Sequence, residues 1–447
     1  MNSHYDVIIC GTSFKEAILG GLISSNGKKV LQLDINDYYG GEAASLSLNS
    51  MIKKFNKSIE YDVAKWGNNR DWNIDLIPKF IMSNGKLVKI LLKTKVKDYI
   101  QFSVVNDAFV YQPTSSWLGF KNSIHRIPSS ETEILSSGLI PLTEKLRGRN
   151  FFRLIANWRA EDPATFGGFN PRSDLMKYVY NKYNLNPNIR DFVGHAVALE
   201  YNDEYLNKPF GVIIPKLTLY MRSVLKYGKS PFIYPLYGLS TLPEGFSRLC
   251  AVHGGTFVLR AEINKIVTDE NEKIKGVKFN NGQLITCDKL ICSPNYVHYI
   301  DKNIPMKKTQ KVIRVINILN HSIKETNNSN SCQIIFSQKQ LKRKNDVYLV
   351  VLGSEFGVCP EGKYLSIISS IVETENPLEE LKIPLSFLED IEQQFVYITD
   401  LYEVASATKQ DNIYVTNSLD PMSHFEKATQ EVIDIWEIME GQKLDLD

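Results

Sequence analysis

The sequence predicts an α/β fold made of a discontinuous Rossmann-type βαβ domain with an all-α domain inserted into it. Three observations support this prediction. A strand pattern, a glycine turn and a helical pattern open the chain, the middle of the chain has helical periodicity, and strand patterns return after residue 228. We therefore expect both ends of the chain to build one domain and the middle to build another.

The opening segment has the pattern of a dinucleotide-binding βαβ unit. Apolar residues 7–9 predict a strand that ends at Gly11, helical spacing follows from Phe14 to Leu22, and residues 30–33 predict a second strand. Two interpretations remain open on this pattern alone. The segment is either a Rossmann-like unit that binds no ligand or part of a flavin enzyme with an unusual loop.

The glycine fingerprint of this unit is degenerate. The three positions of G-x-G-x-x-G are occupied here by Gly11, Ser13 and Glu16. Ser13 adds a Cβ where the backbone must approach a pyrophosphate, and Glu16 adds a negative charge to the first helical turn. One like-charge contact at about 4 Å costs on the order of 1 to 4 kcal/mol. We expect a loop that binds no dinucleotide, with Asp34 either a remnant of the ribose-binding acid or, the interpretation we favour, a turn-capping residue.

Helical patterns fill residues 129–228, the predicted inserted domain, whereas residues 1–128 and 229–447 mix strand and helix patterns. The inserted domain opens with a capping box at Ser130 and Glu133, and further helices are predicted after residue 173 and across 189–201.

The C-terminal part has two clear element boundaries. Asn281-Gly282 predicts a hairpin turn between two strands. A last helix is predicted from Ser423, where Glu426 would complete a capping box, to Gly441.

Composition and charge exclude several classes of protein. The chain has 447 residues, 43% of them hydrophobic, and 52 basic against 50 acidic residues, so it has a globular composition and no charge that favours a nucleic-acid partner. Its six cysteines form no C-x-x-C pair, so neither a zinc site nor a disulfide framework is predicted. The N-terminus lacks a signal-peptide pattern and no apolar run is long enough to span a membrane, so we expect neither secretion nor membrane insertion.

Three further patterns are assigned no catalytic role. The segment YGKSP at 227–231 lacks the earlier glycine of a phosphate-binding loop, because that position is Ser223. His195 is a lone histidine in a helical pattern and is interpreted as a structural residue. The lysines of segment 86–97 form either a solvated face, the interpretation we favour, or a surface for an acidic partner.

The segment DINDYYGGEAAS resembles a known family. With YDVIICGTS before it and NNRDWNIDLIPKFIMSNGKLVKILL after it, it is similar to the Rab GDP-dissociation inhibitors, which share a superfamily with the Rab escort proteins. The matches continue in order through DPATFGGFNP, DFVGHAVAL, RSVLKYGKSPFIYPLYGLSTLPEGFSRL and SHFE. Residues 114–122 are longer than the family pattern and are assigned no family role.

The resemblance implies a fold and a function. Members of this family bind prenylated, GDP-bound Rab GTPases, inhibit GDP release, extract the Rab from membranes and recycle it for vesicle transport. Their fold is a FAD-binding-like domain that has lost its cofactor, with a helical domain for the geranylgeranyl lipid. We accordingly expect a cytoplasmic monomer in transient contact with membranes. It would be no enzyme and would need no cofactor, metal or nucleic acid.

The resemblance also implies two sites. The Rab-binding platform pairs YYGGE with LPEGFSRL, and its members here are Tyr39, Glu42, Thr241, Glu244, Arg248, Thr256 and Val258. The mobile effector loop comprises Lys226, Tyr227, Gly228, Lys229 and Ser230. These residue types suit binding, since a tyrosine offers a rigid contact with a polar tip and an arginine bonds acidic or carbonyl groups in pairs.

Four positions depart from the family pattern. The family commonly carries Glu at position 241 and Gln at 244, where this chain has Thr241 and Glu244, and Met where it has Val258. The exchange keeps the charge of the platform but not its geometry. Lys226 replaces the usual arginine, which keeps the charge and loses bidentate hydrogen bonding.

Extraction of a prenylated protein requires an apolar site for the lipid. A geranylgeranyl chain has about 20 carbons, and at roughly 0.8 kcal/mol per buried CH₂ its exposure to water would cost on the order of 10 kcal/mol. We expect a groove between helices of the inserted domain, lined by Leu135, Leu142 and Val193. The alternative is that these residues fill a closed core.

Two other functions remain as alternatives to the Rab GDP-dissociation inhibitor. A flavin-dependent oxidoreductase is favoured by the βαβ opening alone. A Rab escort protein would share the platform, although such chains are generally longer than 447 residues.

Overall fold

Two large sheets organise the molecule. The computed structural model describes residues 3–55, 60–116, 119–128, 142–404 and 411–446, with the backbone alone described at 114–116, 119–121 and 142–147. The main hydrophobic core runs from one face of the first sheet to one face of the second, and smaller cores cover the two opposite faces.

The first sheet joins both ends of the chain, which confirms the predicted discontinuous βαβ arrangement. Its described strands lie in the order Thr256–Val258, Val30–Leu33, His4–Cys10, Leu284–Cys292, Ile274–Phe279 and Ile263–Thr268, and Ile413–Val415 also pairs with Leu284–Cys292. The strands that surround the N-terminal strand pair in parallel, and buried parallel strands require helices on their faces.

The βαβ unit at the start of the chain forms where the sequence predicts it. Helix Phe14–Ser25 follows the first strand and is buried along almost its whole length, because helices Thr241–Val252 and Glu426–Glu440 pack against it. The helix ends at Asn26, and Gly27 follows with φ +81°, a conformation that favours glycine.

The second sheet is mainly antiparallel. Among the described residues its strands lie in the order Ile124–Arg126, Asp107–Tyr111, Ser331–Phe336, Val347–Gly353, Tyr364–Ile371, Met306–Leu319 and Gln393–Val404. Its central strands carry β-branched and aliphatic residues that are buried on both faces, which is the composition expected of a sheet between two cores.

Smaller elements complete the α/β part. One three-stranded sheet consists of Ile81–Met82, Phe232–Pro235 and Phe102–Val104, and two strand pairs are Ser45–Leu46 with Ile74–Asp75 and Thr114–Ser116 with Gly119–Lys121. The second of these pairs is the segment that is longer than the family pattern. The remaining α-helices of this part, among the described residues, are Leu48–Phe55, Val63–Trp66, Lys86–Lys93, Gln338–Leu341 and Lys382–Ser386.

The middle of the chain is helical, as predicted. Its α-helices in the described residues are Leu142–Asn157, Met176–Lys182, Pro187–Asp191 and Phe210–Tyr227. The capping box predicted at residues 130–133 lies outside the described residues. None of the helices in the described ranges combines the length and the apolarity that a membrane crossing requires.

The helix predicted across residues 189–201 differs in the structure. The α-helix Pro187–Asp191 passes into a π-helical turn, Phe192–Val197, and the chain then leaves the helix through Leu199, whose φ is +57°. Tertiary packing explains the change, since a Cβ added at Gly194 would lie 2.0 Å from the Tyr205 hydroxyl. The wide turn and its glycine allow this close approach.

The last helix ends as predicted and begins differently. It spans Glu426–Glu440 and is followed by Gly441 with φ +71°. The capping box at its start was wrong, because the Ser423 hydroxyl donates to Oε1 of Gln333 instead, at 2.8 Å. The predicted hairpin turn is confirmed, with Gly282 at φ +85° between two antiparallel strands.

Candidate functional site

The loop after the first strand is closed by a neighbouring turn. Gly11 begins the loop with φ +117°, a conformation that glycine tolerates. The Gly40 amide donates to the Thr12 carbonyl at 3.1 Å. A Cβ added at Gly41 would lie 3.5 Å from the Cβ of Ser13. The turn at residues 40–41 therefore packs on the N-terminal end of helix Phe14–Ser25, where a dinucleotide-binding protein holds its pyrophosphate.

Asp34 uses both carboxylate oxygens within the chain. Oδ2 accepts from the amide of Thr12 at 2.9 Å and from its hydroxyl at 2.5 Å. Oδ1 accepts from the amide and side chain of Asn36 at 2.9 and 2.8 Å, and from the hydroxyl of Tyr296 at 3.1 Å. The residue is buried. These five donors are what the turn-capping interpretation of Asp34 predicts, and the absence of ribose binding stays a prediction.

Glu16 is buried in the first turn of helix Phe14–Ser25. Its Oε1 accepts from the Thr416 hydroxyl at 2.7 Å. Burial raises the pKa of Glu16 to about 7, against the lowering effects of Thr416 and Lys15. The sequence interpretation gave this residue a fixed negative charge, whereas a carboxyl with this pKa is only partly ionised at neutral pH. Glu16 therefore contributes a buried hydrogen bond to the core and not a full negative charge to the loop surface.

Glu42 also faces inward. Glu42 is half-buried, and burial raises the pKa of its carboxyl, whereas the cations of Lys15 and Arg314 and the backbone amide of Leu419 lower it. Both cations are themselves buried. The structure thus places Glu42 at the junction of the loop, the C-terminal segment and the second sheet.

Helix Thr241–Val252 presents one side to solvent. We call Thr241, Glu244, Arg248 and Val252 the exposed stripe, because their spacing places them on one side of the helix. Glu244, Arg248 and Val252 are exposed, and Thr241 is half-buried with its hydroxyl donating to the Gly238 carbonyl at 2.8 Å. This stripe contains three of the residues that the family resemblance assigned to partner binding.

Tyr39 lies beside the exposed stripe. Its ring centre is 6.0 Å from that of Phe257, in an edge-to-face arrangement. Partial burial raises the pKa of the Tyr39 hydroxyl, and the carboxylate of Glu244 raises it further. The structure therefore brings Tyr39, Glu244 and Arg248 to one region.

Two platform positions lie on the edge strand Thr256–Val258. Thr256 accepts from the Tyr5 hydroxyl at 3.3 Å, and Val258 packs against the core that covers the far face of the first sheet. Phe257, between them, contacts Tyr39 on the near face. Since successive strand residues point to opposite faces, Thr256 and Val258 are directed away from Tyr39 while remaining at the sheet edge.

The first part of the predicted effector loop is anchored to the body of the protein. Lys226 lies in the last turn of helix Phe210–Tyr227 and donates from Nζ to the Ser83 carbonyl at 2.8 Å. Gly228 ends the helix with φ +69°, and Tyr227 beside it is exposed.

The second part of the loop returns to the interior. Lys229 donates from Nζ to Oδ1 of Asn106 at 3.2 Å. Ser230 is buried and donates from its hydroxyl to the Val105 carbonyl at 2.6 Å. These contacts locate all five predicted residues, and their mobility stays a prediction.

The structure describes the three predicted lipid-pocket residues to different extents. Leu135 lies outside the described residues. Leu142 begins helix Leu142–Asn157, and its side chain lies outside the described part of the structure. Val193 is fully buried in the main core, on the π-helical turn. A groove at Val193 would thus require the surrounding helices to separate, and the lining of a lipid site stays a prediction.

His195 is held in a buried ionic network. Its Nδ1 lies 2.8 Å from Oδ2 of Asp346 and its Nε2 lies 3.3 Å from Oδ1 of Asp203. Burial lowers the pKa of His195, but these carboxylates and Asp191 outweigh that effect and raise the pKa to about 10. The network joins the helical region to the second sheet, which supports the interpretation of His195 as a structural residue.

One group of side chains has metal-ligand chemistry. The ligand atoms of His4, Asp6 and Asp288 lie within 4.8 Å of one another at the start of the first sheet. The sequence contains no close cluster of this kind, because the two strands that meet here are far apart in the chain. His4 and Asp288 are exposed, and no other feature of the group points to an ion.

Comparison with known proteins decides the family. A family model described as GDP dissociation inhibitor matches residues 1–447. This chain belongs to the GDP dissociation inhibitor family. It is 44% identical over 448 residues to Rab GDP dissociation inhibitor beta of Rattus norvegicus, a match that covers 100% of this chain and 97% of that relative.

Solved structures extend this result. The crystal structure of a Rab GDI from Plasmodium falciparum matches this GDP dissociation inhibitor with a TM-score of 0.93 and 47% identity, over 100% of both chains. An oxidoreductase from Methanosarcina mazei matches with a TM-score of 0.61 and 14% identity, over 96% of this chain and 99% of that one. The second match shows a shared fold alone, and it agrees with the predicted FAD-binding-like architecture.

Sequence reasoning missed two residues of this GDP dissociation inhibitor. The Tyr296 hydroxyl donates a hydrogen bond to Asp34 from 262 positions away in the sequence, and no local pattern predicts this contact. Tyr99 lies with its ring centre 4.4 Å from the guanidinium carbon of Arg248. A tyrosine after the lysine-rich helix Lys86–Lys93 gives no signal of that contact before the fold is known.

Proposed function

We propose that this GDP dissociation inhibitor binds prenylated, GDP-bound Rab GTPases, slows GDP release and extracts them from membranes for reuse in vesicle transport. The observation that carries the proposal is the match of one GDP dissociation inhibitor model to residues 1–447. The identity of 44% to a Rab GDP dissociation inhibitor supports Rab as the partner. Membership of this family makes the protein a regulator and not a catalyst.

The proposed Rab contact centres on the exposed stripe and Tyr39. Arg248 carries a charge at the surface, and Tyr39 offers a rigid ring with a polar tip. Glu244 and Thr241 flank them on the same helix face. Residues at the rim of an interface contribute less than those at its centre, so we assign Thr256 and Val258, at the sheet edge, a smaller share.

Glu42 has a supporting role in this proposal. Glu42 is half-buried near the cations of Lys15 and Arg314, so we assign its carboxylate to supporting the turn that carries Tyr39. The loop of Lys226, Tyr227, Gly228, Lys229 and Ser230 is the proposed effector loop, with Tyr227 as its exposed aromatic residue.

We also propose that the ancestral dinucleotide site binds no cofactor. The turn at residues 40–41 packs on Ser13, and Asp34 has no acceptor position left for a ribose hydroxyl. A bound FAD would need both groups to rearrange at once. The breakdown of Asp34's five hydrogen bonds alone would cost several kcal/mol, at about 1.5 kcal/mol or more for each bond to a charged group.

The lipid is proposed to bind in the helical region, residues 129–228, while residues 1–128 and 229–447 hold the GTPase. Exposure of a geranylgeranyl chain to water would cost on the order of 10 kcal/mol, so the protein must cover the chain with a large apolar surface. Val193 and its neighbours offer that surface only when the helices separate, so lipid entry is coupled to opening of the helical region. We propose a cytoplasmic monomer that contacts membranes during extraction.

The test uses membranes that carry prenylated, GDP-loaded Rab. The purified protein should transfer Rab to the supernatant in a dose-dependent way, and it should slow the release of labelled GDP from the complex. Rab loaded with a GTP analogue is the matched control and should stay on the membrane. If an excess of the protein leaves GDP-loaded Rab on the membrane, the proposal is wrong.

A second measurement separates the regulator from a flavin enzyme. The visible spectrum of the purified protein, with and without added FAD, should contain no bound flavin absorbance after gel filtration. A stoichiometric yellow complex would instead favour the oxidoreductase alternative.

A further inference from the structure

We propose that Tyr99 is a positioning residue that orients Arg248 toward an acidic side chain of the bound GTPase. The inference rests on the function proposed above and deepens it. The guanidinium carbon of Arg248 lies 4.4 Å from the centre of the Tyr99 ring. A cation at this distance from an aromatic ring is attracted by its electron-rich face.

The backbone of Tyr99 is fixed by buried neighbours. A 3₁₀ turn at Val96–Asp98 precedes it, and the Tyr99 amide donates to the Val96 carbonyl at 2.9 Å. Val96 and Ile100 are buried on either side, while 39% of Tyr99 is exposed. The ring is thus presented at the surface by a segment that has little freedom to move.

Gly245 explains how this segment approaches the helix of the exposed stripe. A Cβ at position 245 would lie 3.0 Å from the tips of both Ile100 and Val96. Glycine is unfavourable inside a helix, so a packing reason of this kind accounts for its presence. Arg248 lies one turn after Gly245 on the same side of the helix, directly over the segment.

The ring contact leaves the hydrogen-bonding edge of Arg248 open. Among the described residues, the ring of Tyr99 is the partner found for the Arg248 guanidinium, and no ion pair joins it to Glu244 four positions earlier on the same helix. A guanidinium stacks through its face and bonds a carboxylate through its edge, so the two interactions are compatible. The geometry therefore points to an acidic group on the partner.

The test is a double-mutant cycle measured on binding of prenylated, GDP-loaded Rab. The variants are Y99F, Y99L, R248A and Y99L with R248A. Y99F keeps the ring face and should bind within about twofold of the wild type. Y99L loses the cation-binding face and should weaken binding by about twofold to fivefold. In the R248A background, Y99L should have no further effect.

The outcomes are distinguishable. If Y99L weakens binding equally with and without Arg248, Tyr99 acts by itself and the positioning role is wrong. The same holds if Y99F is as weak as Y99L. Wild-type affinity in R248A would overturn the positioning role and remove Arg248 from the contact, whereas failure of the wild type to bind Rab would overturn the proposed function. Thermal unfolding of each variant is measured in parallel, and Tyr99→Met replaces Y99L if Y99L melts lower.

Discussion

The loop around Asp34 and the exposed stripe around Arg248 differ in the partners of their charged groups. Asp34 is buried and accepts hydrogen bonds from five donors of its own chain. Arg248 is exposed, and in the described part of the structure it has an aromatic ring beneath it and no carboxylate beside it. A charge whose partners are all internal contributes to stability, whereas a charge with an open edge can recognise another molecule.

This difference teaches how a nucleotide-binding fold can serve another purpose. The two regions are connected through helix Phe14–Ser25, which starts at the closed loop and packs against the helix of the exposed stripe. We expect the contacts that close the loop to restrict the motion of this end of the fold and so to support the proposed binding surface. Substitutions in the two regions should therefore separate into effects on unfolding and effects on affinity.

The largest expected effect is on stability, from Asp34→Asn. The amide that replaces one oxygen cannot accept from the Thr12 or Asn36 donors, and one or more of them is left buried and unpaired. The free energy of unfolding should fall by about 2 to 4 kcal/mol. Urea denaturation followed by circular dichroism measures it.

The matched control is Asp37→Asn, three residues later. Asp37 pairs with Arg260 at 2.8 Å, but both side chains are mostly exposed, and exposed pairs contribute little. This variant should unfold like the wild type. If both variants lose the same free energy of unfolding, the buried, fully hydrogen-bonded Asp34 is no more important for stability than the exposed Asp37, and the distinction is wrong.

The next effect is on affinity, from Arg248→Ala. The binding free energy for prenylated, GDP-loaded Rab should weaken by about 1 to 3 kcal/mol, because a surface arginine with an open edge has the features of a binding hot spot. The free energy of unfolding should change by less than about 0.5 kcal/mol. Titration calorimetry and urea denaturation report the two quantities.

Arg172→Ala provides the control for this measurement. Arg172 is exposed, like Arg248, but lies in the helical region away from the exposed stripe. It should alter neither affinity nor stability. A loss of affinity in both variants would indicate a general charge effect, and the contrast between the two regions would no longer explain binding.

Some features of the molecule can be predicted from the sequence, and others cannot. The βαβ unit, the hairpin at Gly282 and the helix end at Gly441 follow from local patterns, because strand alternation, helical spacing and glycine turns are local properties. The hydrogen bond between Asp34 and Tyr296 spans 262 positions, and only the fold makes it visible.

The site residues illustrate the same limit. The resemblance places Glu42 in the platform with Tyr39, but the groups that lower the pKa of its carboxyl, the Arg314 cation and the Leu419 amide, come from distant segments of the chain. The capping box at Ser423 failed for a related reason, since Gln333 offers that hydroxyl a buried partner. Local rules describe what a side chain can do, and tertiary contacts decide which option it takes.

A pH-dependent effect sharpens the description of the closed loop. Burial raises the pKa of Glu16 from its ordinary value of 4.5 to about 7 in the folded protein. Between these values the unfolded chain releases the proton and the folded protein keeps it, so stability falls as pH rises. Between pH 6 and pH 8 the loss should be roughly 1 kcal/mol from this group, at about 1.4 kcal/mol per unit of pKa shift.

Glu16→Gln tests this assignment. Glutamine keeps an acceptor for the Thr416 hydroxyl and cannot ionise, so the variant should lose less stability than the wild type between pH 6 and pH 8. The measurement is urea denaturation at both values, with affinity for Rab unchanged at pH 6. Parallel pH profiles for the two proteins would show that Glu16 is not the titrating group.

The smallest expected effect comes from Lys226→Arg, at a residue that combines features of the two regions. Lys226 is exposed, yet its ammonium group donates to the Ser83 carbonyl at 2.8 Å, so it combines an internal partner with an open surface. An arginine can keep that bond and offer further donors in a fixed fork. Stability should stay within about 0.5 kcal/mol, and the efficiency of Rab extraction should rise slightly or stay equal. Lys226→Met removes both functions and is the matched comparison. If it extracts Rab as well as the arginine variant does, the cation at this position serves only the anchor to Ser83 or nothing at all, and the loop binds its partner through other residues.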